Sequence, residues 1–169
     1  MEIWELVDSD GVPTGALYER GSKQEIPEGM YFRVVEVWTK IGDKLLVTQR
    51  HPSKWMGLKW EVTGGGVVLG EMVKEAAVRE LFEETGIKVG QNEIAELGIR
   101  RFGAALVHSY ILRLDKMPEL NFDSNEVVDH KFVTRNEFVN TKHDFNSGTL
   151  SRYIEYGDEI FSHDGGNNG

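Results

Sequence analysis

The chain has 169 residues, 40% of them hydrophobic, which is enough for one domain with a proper core and too short for two domains of ordinary size. Its 19 basic and 28 acidic residues give a net charge of −9. The sequence has no run of basic residues of the kind that binds long nucleic acids. A small phosphorylated ligand remains compatible with this charge, because a bound metal ion would offset the repulsion. The chain has no cysteine, which excludes disulfides, thiolate nucleophiles and cysteine-ligated zinc.

The N-terminal segment MEIWELVDSDG has neither the basic nor the apolar region of a signal peptide. No stretch of about 18 apolar residues is present, so we expect no membrane segment and a cytoplasmic location. A single domain is predicted over residues 1–163. Residues 164–169 have nothing to bury and are expected to form a flexible tail.

Two hairpins are predicted in the first third of the chain. The first pairs residues 3–7 with residues 14–18 around an Asp-Ser-Asp-Gly turn. The second pairs residues 30–39, rich in β-branched and aromatic side chains, with residues 44–49. An exposed edge of the first hairpin would permit a homodimer.

A loop, a short strand and a helix are predicted in the middle of the chain. Residues 51–59 read as a loop and residues 60–63 as a strand. The glycines that follow, residues 64–66, predict a sharp turn or a close approach of the backbone to a ligand. The helix is expected to begin at Gly70 and Glu71 and to end before Gly86, with an apolar row on one side formed by Val73, Ala77 and Leu81.

The last third of the chain predicts three more strands and two helices. The strands are residues 93–101, 104–114 and 127–134, and the helices are residues 135–140 and 149–161. The predicted order is strands, one central helix, more strands and a final helix. This order indicates an α+β fold of the α/β/α sandwich type, in which a mixed sheet is packed between helices.

Three carboxylates of the central helix share one side. Glu80, Glu83 and Glu84 are spaced i, i+3, i+4 and so point into one arc of about 100°. Like charges this close repel, so a cation is expected among them, and oxygen ligands favour Mg²⁺ or Mn²⁺ over Zn²⁺. On charge pattern alone, an ordinary solvated helix rich in glutamate is the alternative.

The same segment matches a named motif. From Gly65 to Ile87 the sequence fills each defining position of the Nudix box, which comprises Gly65, Glu71, Arg79, Glu80, Leu81, Glu83, Glu84, Gly86 and Ile87. The chain therefore resembles the Nudix hydrolases. The resemblance implies a Nudix fold and Mg²⁺-dependent cleavage of a diphosphate linkage in a small molecule, either a nucleoside diphosphate derivative or a nucleotide polyphosphate.

The resemblance also implies roles for the box residues. The metal ligands would be three side chains and one carbonyl, namely Glu80, Glu83, Glu84 and the carbonyl of Gly64. Arg79 is placed to pair with Glu83 at i+4, and Glu71 would orient a neighbour from the start of the helix. For Arg79 and Glu71, a purely structural salt bridge is the alternative to a part in catalysis.

The general base and the substrate contacts lie partly outside the box. Glu83 or Glu126 would take the proton from water, with Glu61 as a weaker candidate. Arg50, at a strand end, would reach the phosphates as in similar enzymes, although a solvated strand end explains it equally well. Trp55, in the loop of residues 51–59, is the aromatic residue expected to stack on a base.

Two alternative functions are weighed against hydrolysis. Residues 7–15, 31–50 and 60–71 also resemble the isopentenyl-diphosphate isomerase branch, whose chemistry depends on a catalytic cysteine and histidine ligands. Here Gly64 stands at the cysteine position, and Phe32 and Gly66 stand at two histidine positions, which disfavours isomerisation. A non-catalytic nucleotide-binding regulatory module is the other alternative, but such modules commonly lack the box carboxylates that this chain has.

Overall fold

Within residues 2–162, the part of the chain that the computed structural model describes, seven strands form a mixed sheet packed between three α-helices, and two further strands form a separate hairpin. The strands are β1 (Ile3–Val7), β2 (Pro13–Glu19), β3 (Phe32–Ile41), β4 (Lys44–Arg50), β5 (Trp60–Glu61), β6 (Thr63–Gly66), β7 (Ile94–Phe102), β8 (Ala105–Leu114) and β9 (Val127–Val133). The helices are α1 (Val73–Thr85), α2 (Arg135–Asn140) and α3 (Ser147–Ile160), with short 3₁₀ turns at Gln91–Glu93 and Lys142–Asp144. The tail expected at residues 164–169 lies outside the described residues.

The main sheet is built around the parallel pair of β3 and β8. These strands pair along their whole length, and β7 runs antiparallel on the outer side of β8. The predicted hairpin of β3 and β4 is present, but the two strands pair only next to their turn. Beyond it β6 pairs with β3, while β4 pairs with β5 and β9. The two strands therefore splay apart, and the site described below lies along this opening.

Helices cover both faces of the sheet, which confirms the predicted α+β sandwich. On one face Val35 and Leu112 pack against Leu81 of α1. On the other face Trp38 packs against Phe138 of α2, and Ile160 of α3 belongs to the same cluster. Alternate residues of β3 thus enter different cores, as the two-residue period of a strand requires. None of the helices in the described range is long and apolar enough to cross a membrane.

The structure corrects two local predictions around the central helix. Gly64 to Gly66 do not form a turn, because they lie in β6 and pair with β3. The helix begins at Val73 rather than at Gly70 and Glu71, with Met72 at the N-cap and the Glu75 carboxylate accepting from its backbone N–H at 3.0 Å. Gly86 ends the helix in the left-handed conformation, as predicted.

The first predicted hairpin is confirmed and packs beside β3. Trp4 of β1 stacks on Phe32 with ring centroids 4.7 Å apart, and the backbone N–H of Val7 donates to the carbonyl of Tyr31 at 2.8 Å. Within the described residues β2 pairs with β1 alone, and most of its residues are exposed. We call β1 and β2, with the turn between them, the N-terminal hairpin.

Candidate active site

Arg79, in the middle of α1, binds three of the four carboxylates of the Nudix box. Its Nε and Nη2 donate to the two carboxylate oxygens of Glu71 at 2.7 and 2.9 Å. Its Nη1 donates to Glu80 at 2.7 Å and to Glu83 at 3.0 Å, and Nη2 also reaches the carbonyl of Gly66 at 3.0 Å. The hydrogen bonds to Glu71 above all raise the pKa of the Arg79 guanidinium beyond its already high value.

Of Glu80, Glu83 and Glu84, the first is partly buried, the second exposed and the third buried. Glu84 is 7% exposed and the Glu80 side chain 14%, whereas the Glu83 side chain is 54% exposed. Burial raises the pKa of Glu80, and the hydrogen bond from Arg79 opposes that rise. Burial also raises the pKa of Glu84 well above its usual range, and nearby carboxylates act in the same direction. A bound divalent cation would stabilise the ionised form of both groups.

Glu84 presents an oxygen without a partner. Its Oε2 is buried and has no hydrogen-bond partner among the residues that the structure describes. The side chain lines a cavity of about 350 Å³, which we call the acidic cavity, together with Glu2, Arg20, Gly64, Gly65, Arg79, Glu80, Glu83, Asp123 and Glu126. Six carboxylates face two guanidiniums there, so the cavity carries an excess of negative charge.

The atoms of the acidic cavity that could coordinate a metal are of the chemical type that a hard divalent cation prefers. They are oxygen atoms, and no histidine lines the cavity. Within residues 2–162 no group of three or more His, Cys, Asp or Glu side chains is already arranged to hold a metal ion. Arg79 instead binds Glu80 and Glu83. A cation would therefore have to replace hydrogen bonds from Arg79, whereas the free oxygen of Glu84 needs no such exchange.

The glycines of β6 leave no room for the residues that an isomerase would use. A Cβ at Gly64 would lie 2.5 Å from the backbone carbonyl oxygen of Val35. A Cβ at Gly66 would lie 2.6 Å from Nε1 of Trp4. Neither the cysteine nor the histidine of the isomerase branch would fit this backbone without movement, which is a physical reason for disfavouring that chemistry.

The structure separates the two general-base candidates outside the box. Glu126 lines the acidic cavity, and its Oε1 accepts a hydrogen bond from Nζ of Lys54. Glu61 is instead bound by Arg50, whose Nη1 lies 2.7 and 2.6 Å from its two oxygens, and by the Asn146 amide at 2.8 Å. Glu126 is thus brought to the box carboxylates, while Glu61 is held in a separate ion pair.

Arg50 and Trp55 lie at a second depression next to the acidic cavity. This aromatic cleft has a volume of about 280 Å³ and is lined by four rings, those of Trp4, Phe32, Trp55 and Phe102. Arg20, Gly64 and Gly65 line both depressions, so the two are continuous. Arg50 is already engaged by Glu61 and by the Trp55 carbonyl at 2.8 Å, whereas the Trp55 residue is 69% exposed.

A buried ion pair lies beneath the aromatic cleft. The Glu36 carboxylate accepts from Nε of Arg152, from Nε1 of Trp38 at 2.8 Å and from Oγ of Ser109 at 2.7 Å. The guanidinium carbon of Arg152 also lies 5.7 Å from the Phe102 ring centroid. This network joins β3, β8 and α3. Neither Glu36 nor Arg152 belongs to a motif, so the sequence offers no signal for the pair.

Three charged residues of the acidic cavity come from outside the box and were not anticipated. Glu2 and Arg20 flank the N-terminal hairpin and form a salt bridge of 2.7 Å. Asp123 lies in the loop before β9. Their approach to α1 depends on contacts between distant parts of the chain, and no local spacing encodes such contacts.

Comparisons with known proteins agree with this architecture. The family model for the NUDIX domain matches residues 30–154. A protein described as an uncharacterized Nudix hydrolase of Listeria monocytogenes is 28% identical over 141 residues, which cover 81% of this chain and 82% of that protein.

Solved structures share the fold at low sequence identity. DR0079 from Deinococcus radiodurans has a TM-score of 0.76 at 21% identity and covers 91% of this chain and 98% of its own. A bifunctional NMN adenylyltransferase/ADP ribose pyrophosphatase from Francisella tularensis, complexed with AMP and a Mn ion, has a TM-score of 0.65 at 22% identity over 77% of this chain and 42% of its own. Because the NUDIX match extends from β3 into α3 and includes the whole box, the chain belongs to the Nudix hydrolase family.

Proposed function

We propose that this Nudix hydrolase cleaves a diphosphate linkage in a nucleoside diphosphate derivative or a nucleotide polyphosphate, and that it requires Mg²⁺, with Mn²⁺ as a substitute. The observation that carries the proposal is the unpartnered Oε2 of Glu84 in a cavity that Glu80 and Glu83 also line. A buried acceptor without a donor is costly, and a hard cation is the group that its surroundings favour.

The residues that would hold the metal are Glu80, Glu83, Glu84 and the carbonyl of Gly64. When bound, the cation neutralises charge on the phosphoryl oxygens and lowers the pKa of a coordinated water. Arg79 keeps Glu71, Glu80 and Glu83 in position by its hydrogen bonds. Glu80 and Glu83 would have to exchange hydrogen bonds from this guanidinium for a cation in order to serve as its ligands.

A general base must then accept a proton from the attacking water. Glu83 is the more exposed box carboxylate, and Glu126 lines the same cavity from the loop before β9. Lys54 pairs with Glu126 and holds its carboxylate at the edge of this cavity. The pH dependence of kcat in Glu126→Gln assigns the base. If Glu126 takes the proton, this variant loses the acidic limb of the profile, and if the limb remains, Glu83 is the base.

The aromatic cleft supports a nucleoside as the organic part of the substrate. It adjoins the acidic cavity, so a diphosphate at the carboxylates would direct its attached group between the rings of the cleft. The exposed Trp55 and the half-buried Phe102 are available for stacking. The AMP and Mn ion held by the Francisella tularensis protein support the same pairing of ligands.

Turnover of a substrate panel tests the proposal. We expect the purified chain with Mg²⁺ to release phosphate or a monophosphate from at least one member of a panel of nucleoside di- and triphosphates, nucleotide sugars including ADP-ribose, dinucleotides and isoprenoid diphosphates. Glu83→Gln and Glu84→Gln should each abolish this activity, as should chelation of the metal. Glu75→Gln is the matched control on the same helix, because glutamine preserves the capping box.

Thermal unfolding provides a readout that needs no substrate. Mg²⁺ at about 100 times its Kd should stabilise the native chain by about 2.7 kcal/mol, and it should not stabilise Glu84→Gln. Turnover that persists in the double variant Glu83→Gln and Glu84→Gln would contradict the mechanism. Tight nucleotide binding without turnover under any metal or pH would instead favour the regulatory module.

A further inference from the structure

A second cavity lies at the opposite end of α1 from the box carboxylates. It has a volume of about 560 Å³, and its lining includes the polar side chains of Tyr31, Arg33, Arg101 and His108 and the apolar side chains of Ile99 and Leu106. Val73, the first residue of α1, lines it as well. The rise of an α-helix places Val73 about 10 to 16 Å from Glu80 and Glu84 along the axis, so the two cavities are distinct.

Two buried nitrogen atoms of this cavity have no partner. His108 is only 9% exposed, and its Nε2 has no hydrogen-bond partner among the described residues. The same holds for Nε of Arg33, which lies on the neighbouring strand. Val35 of β3 pairs with His108, and Arg33 is two residues earlier on the same face, so both side chains enter one space. Buried polar atoms without a partner are rare, and two in one cavity indicate a missing ligand with hydrogen-bonding atoms.

The two guanidiniums at this cavity are weakly compensated. The nearest carboxylate that pairs with Arg33 belongs to Glu5, at 3.8 Å, which is too far for a hydrogen bond. Arg101 donates to the Tyr31 hydroxyl at 3.0 Å and lies 5.8 Å from the centroid of that ring. Asp10, at the turn of the N-terminal hairpin, is the one carboxylate in the cavity lining. The lining thus carries two fixed positive charges against one negative charge.

We propose that this cavity binds a phosphate monoester whose phosphate pairs with Arg33 and Arg101 and whose apolar or aromatic group lies against Ile99 and Leu106. Guanidinium forks match the oxygens of a phosphate in geometry and charge. A dianionic phosphate suits two guanidiniums better than a carboxylate with a single charge. The site does not depend on the proposed hydrolytic activity, because it shares no lining residue with the acidic cavity.

The state of His108 agrees with a role as hydrogen-bond donor. Burial, together with the charge of Arg33, lowers the pKa of His108 to about 4, so the imidazole is neutral at neutral pH. A neutral imidazole can carry its proton on Nε2 and donate it to a phosphate oxygen. It does so without adding a third positive charge to the cavity.

Binding of phenyl phosphate in the absence of metal tests the proposal. Phenyl phosphate is titrated into the isotope-labelled chain with EDTA present, and backbone amide shifts are followed by NMR. We expect saturable shifts at residues 31, 33, 101, 106 and 108, with benzoate binding more weakly. Arg101→Gln should weaken the affinity by roughly tenfold or more, since it removes a charged hydrogen bond.

Arg100→Gln is the matched control. It removes the same charge from the preceding residue of β7. Arg100 contacts Glu155 and the Tyr156 ring and does not line the cavity. Should Arg101→Gln not fold, Arg33→Gln serves in its place. Equal weakening by Arg100→Gln and Arg101→Gln, shifts confined to the acidic cavity, benzoate binding as tightly as phenyl phosphate, or no saturation by about 10 mM would each overturn the proposal.

Discussion

At the scale of single residues, Arg79 shows why an arginine occupies this position of α1. Its guanidinium reaches three carboxylates and one carbonyl at once, and two of those bonds form a bidentate pair with Glu71. A lysine ammonium carries the same charge but cannot present donors in this planar arrangement. The orientation of these carboxylates therefore depends on the planar geometry of the guanidinium as much as on its charge.

We expect Arg79→Lys to lower kcat/KM by about 10- to 100-fold, because the carboxylates would lose their orientation. The variant should still fold, since the side chain is partly exposed and the charge is kept. Steady-state kinetics at saturating Mg²⁺ measures the loss, and circular dichroism checks the fold. Arg100→Lys, on the exposed part of β7, is the control that should keep full activity. Unchanged kinetics in Arg79→Lys would mean that orientation by the fork is unimportant.

Gly64 and Gly65 are adjacent, yet substitutions at these residues should have different effects. A Cβ at Gly65 would overlap the Glu80 carboxylate, which is the end of a flexible side chain and can move away. We expect Gly65→Ala to fold normally but to raise the Mg²⁺ concentration for half-maximal activity by roughly tenfold or more.

Gly64→Ala should act on stability instead, since its Cβ would meet the backbone of Val35 at 2.5 Å. Movement of strand β6 would cost about 1 to 3 kcal/mol. Urea unfolding of the two variants, measured beside their Mg²⁺ dependence, separates the effects. Equal destabilisation by both substitutions would show that the Glu80 side chain does not move away from the added Cβ of Gly65→Ala.

At the scale of elements, the ion pair of Glu36 and Arg152 ties α3 to the sheet beneath the aromatic cleft. Both residues are buried, and the Glu36 carboxylate has three hydrogen bonds. Burying two charges is costly, and the pair offsets that cost only while both members are present. The pair places the Arg152 guanidinium carbon 5.7 Å from the centroid of the Phe102 ring.

Arg152→Met should lower the free energy of unfolding by about 3 to 5 kcal/mol, because it leaves the Glu36 carboxylate buried without its cation. Adding Glu36→Gln to that variant should recover part of the loss, because the neutral amide can still accept hydrogen bonds from Trp38 and Ser109. Urea denaturation of the two single variants and the double variant measures the coupling. Additive losses would show that the two charges are independent.

Local patterns in the sequence predicted most of the elements. The alternation in residues 104–114 predicted a strand, and β8 is there, although eight of its ten residues are buried on both faces. The apolar row predicted the helix, and two of its three members, Ala77 and Leu81, are buried. The predicted turn at the glycines of β6 was wrong, because a run of glycines usually marks a turn. Here the missing side chains allow the backbone of β6 to pass between β3 and the carboxylates of α1.

The composition of the site could be predicted only in part. The box spacing is local, so it brings Glu80, Glu83 and Glu84 to one side of α1 whatever the rest of the chain does. Arg20 and Arg152 reach the same region through the packing of distant elements, and the second cavity depends on the pairing of β3 with β8 and β7. Such contacts are set by tertiary structure, which residue spacing does not record.

At the scale of the whole molecule, His108 links the protonation of one buried group to global stability. Its pKa of about 4 in the folded protein lies below the ordinary value of 6.5, so between these values the unfolded chain binds more protons. The free energy of unfolding should therefore fall as the pH is lowered from 6.5 to 4, by up to about 3 kcal/mol from this group. Above pH 6.5 the contribution is complete and constant.

Urea denaturation at a series of pH values checks this dependence. His108→Gln should reduce the slope of stability against pH in that range, whatever it does to the absolute value. His143→Gln is the control, because His143 has an exposed side chain next to Asp144. The same slope in His108→Gln as in the native chain would show that other groups cause the acid sensitivity.

The N-terminal hairpin precedes the part of the chain that matches the NUDIX domain, yet it contributes to both cavities. Glu2 and Arg20, at its open end, line the acidic cavity, and its turn at Asp10 lines the second cavity. A protein lacking this ribbon would keep every box carboxylate and still have two differently shaped sites. The shapes of both sites thus depend on the first twenty or so residues as well as on α1.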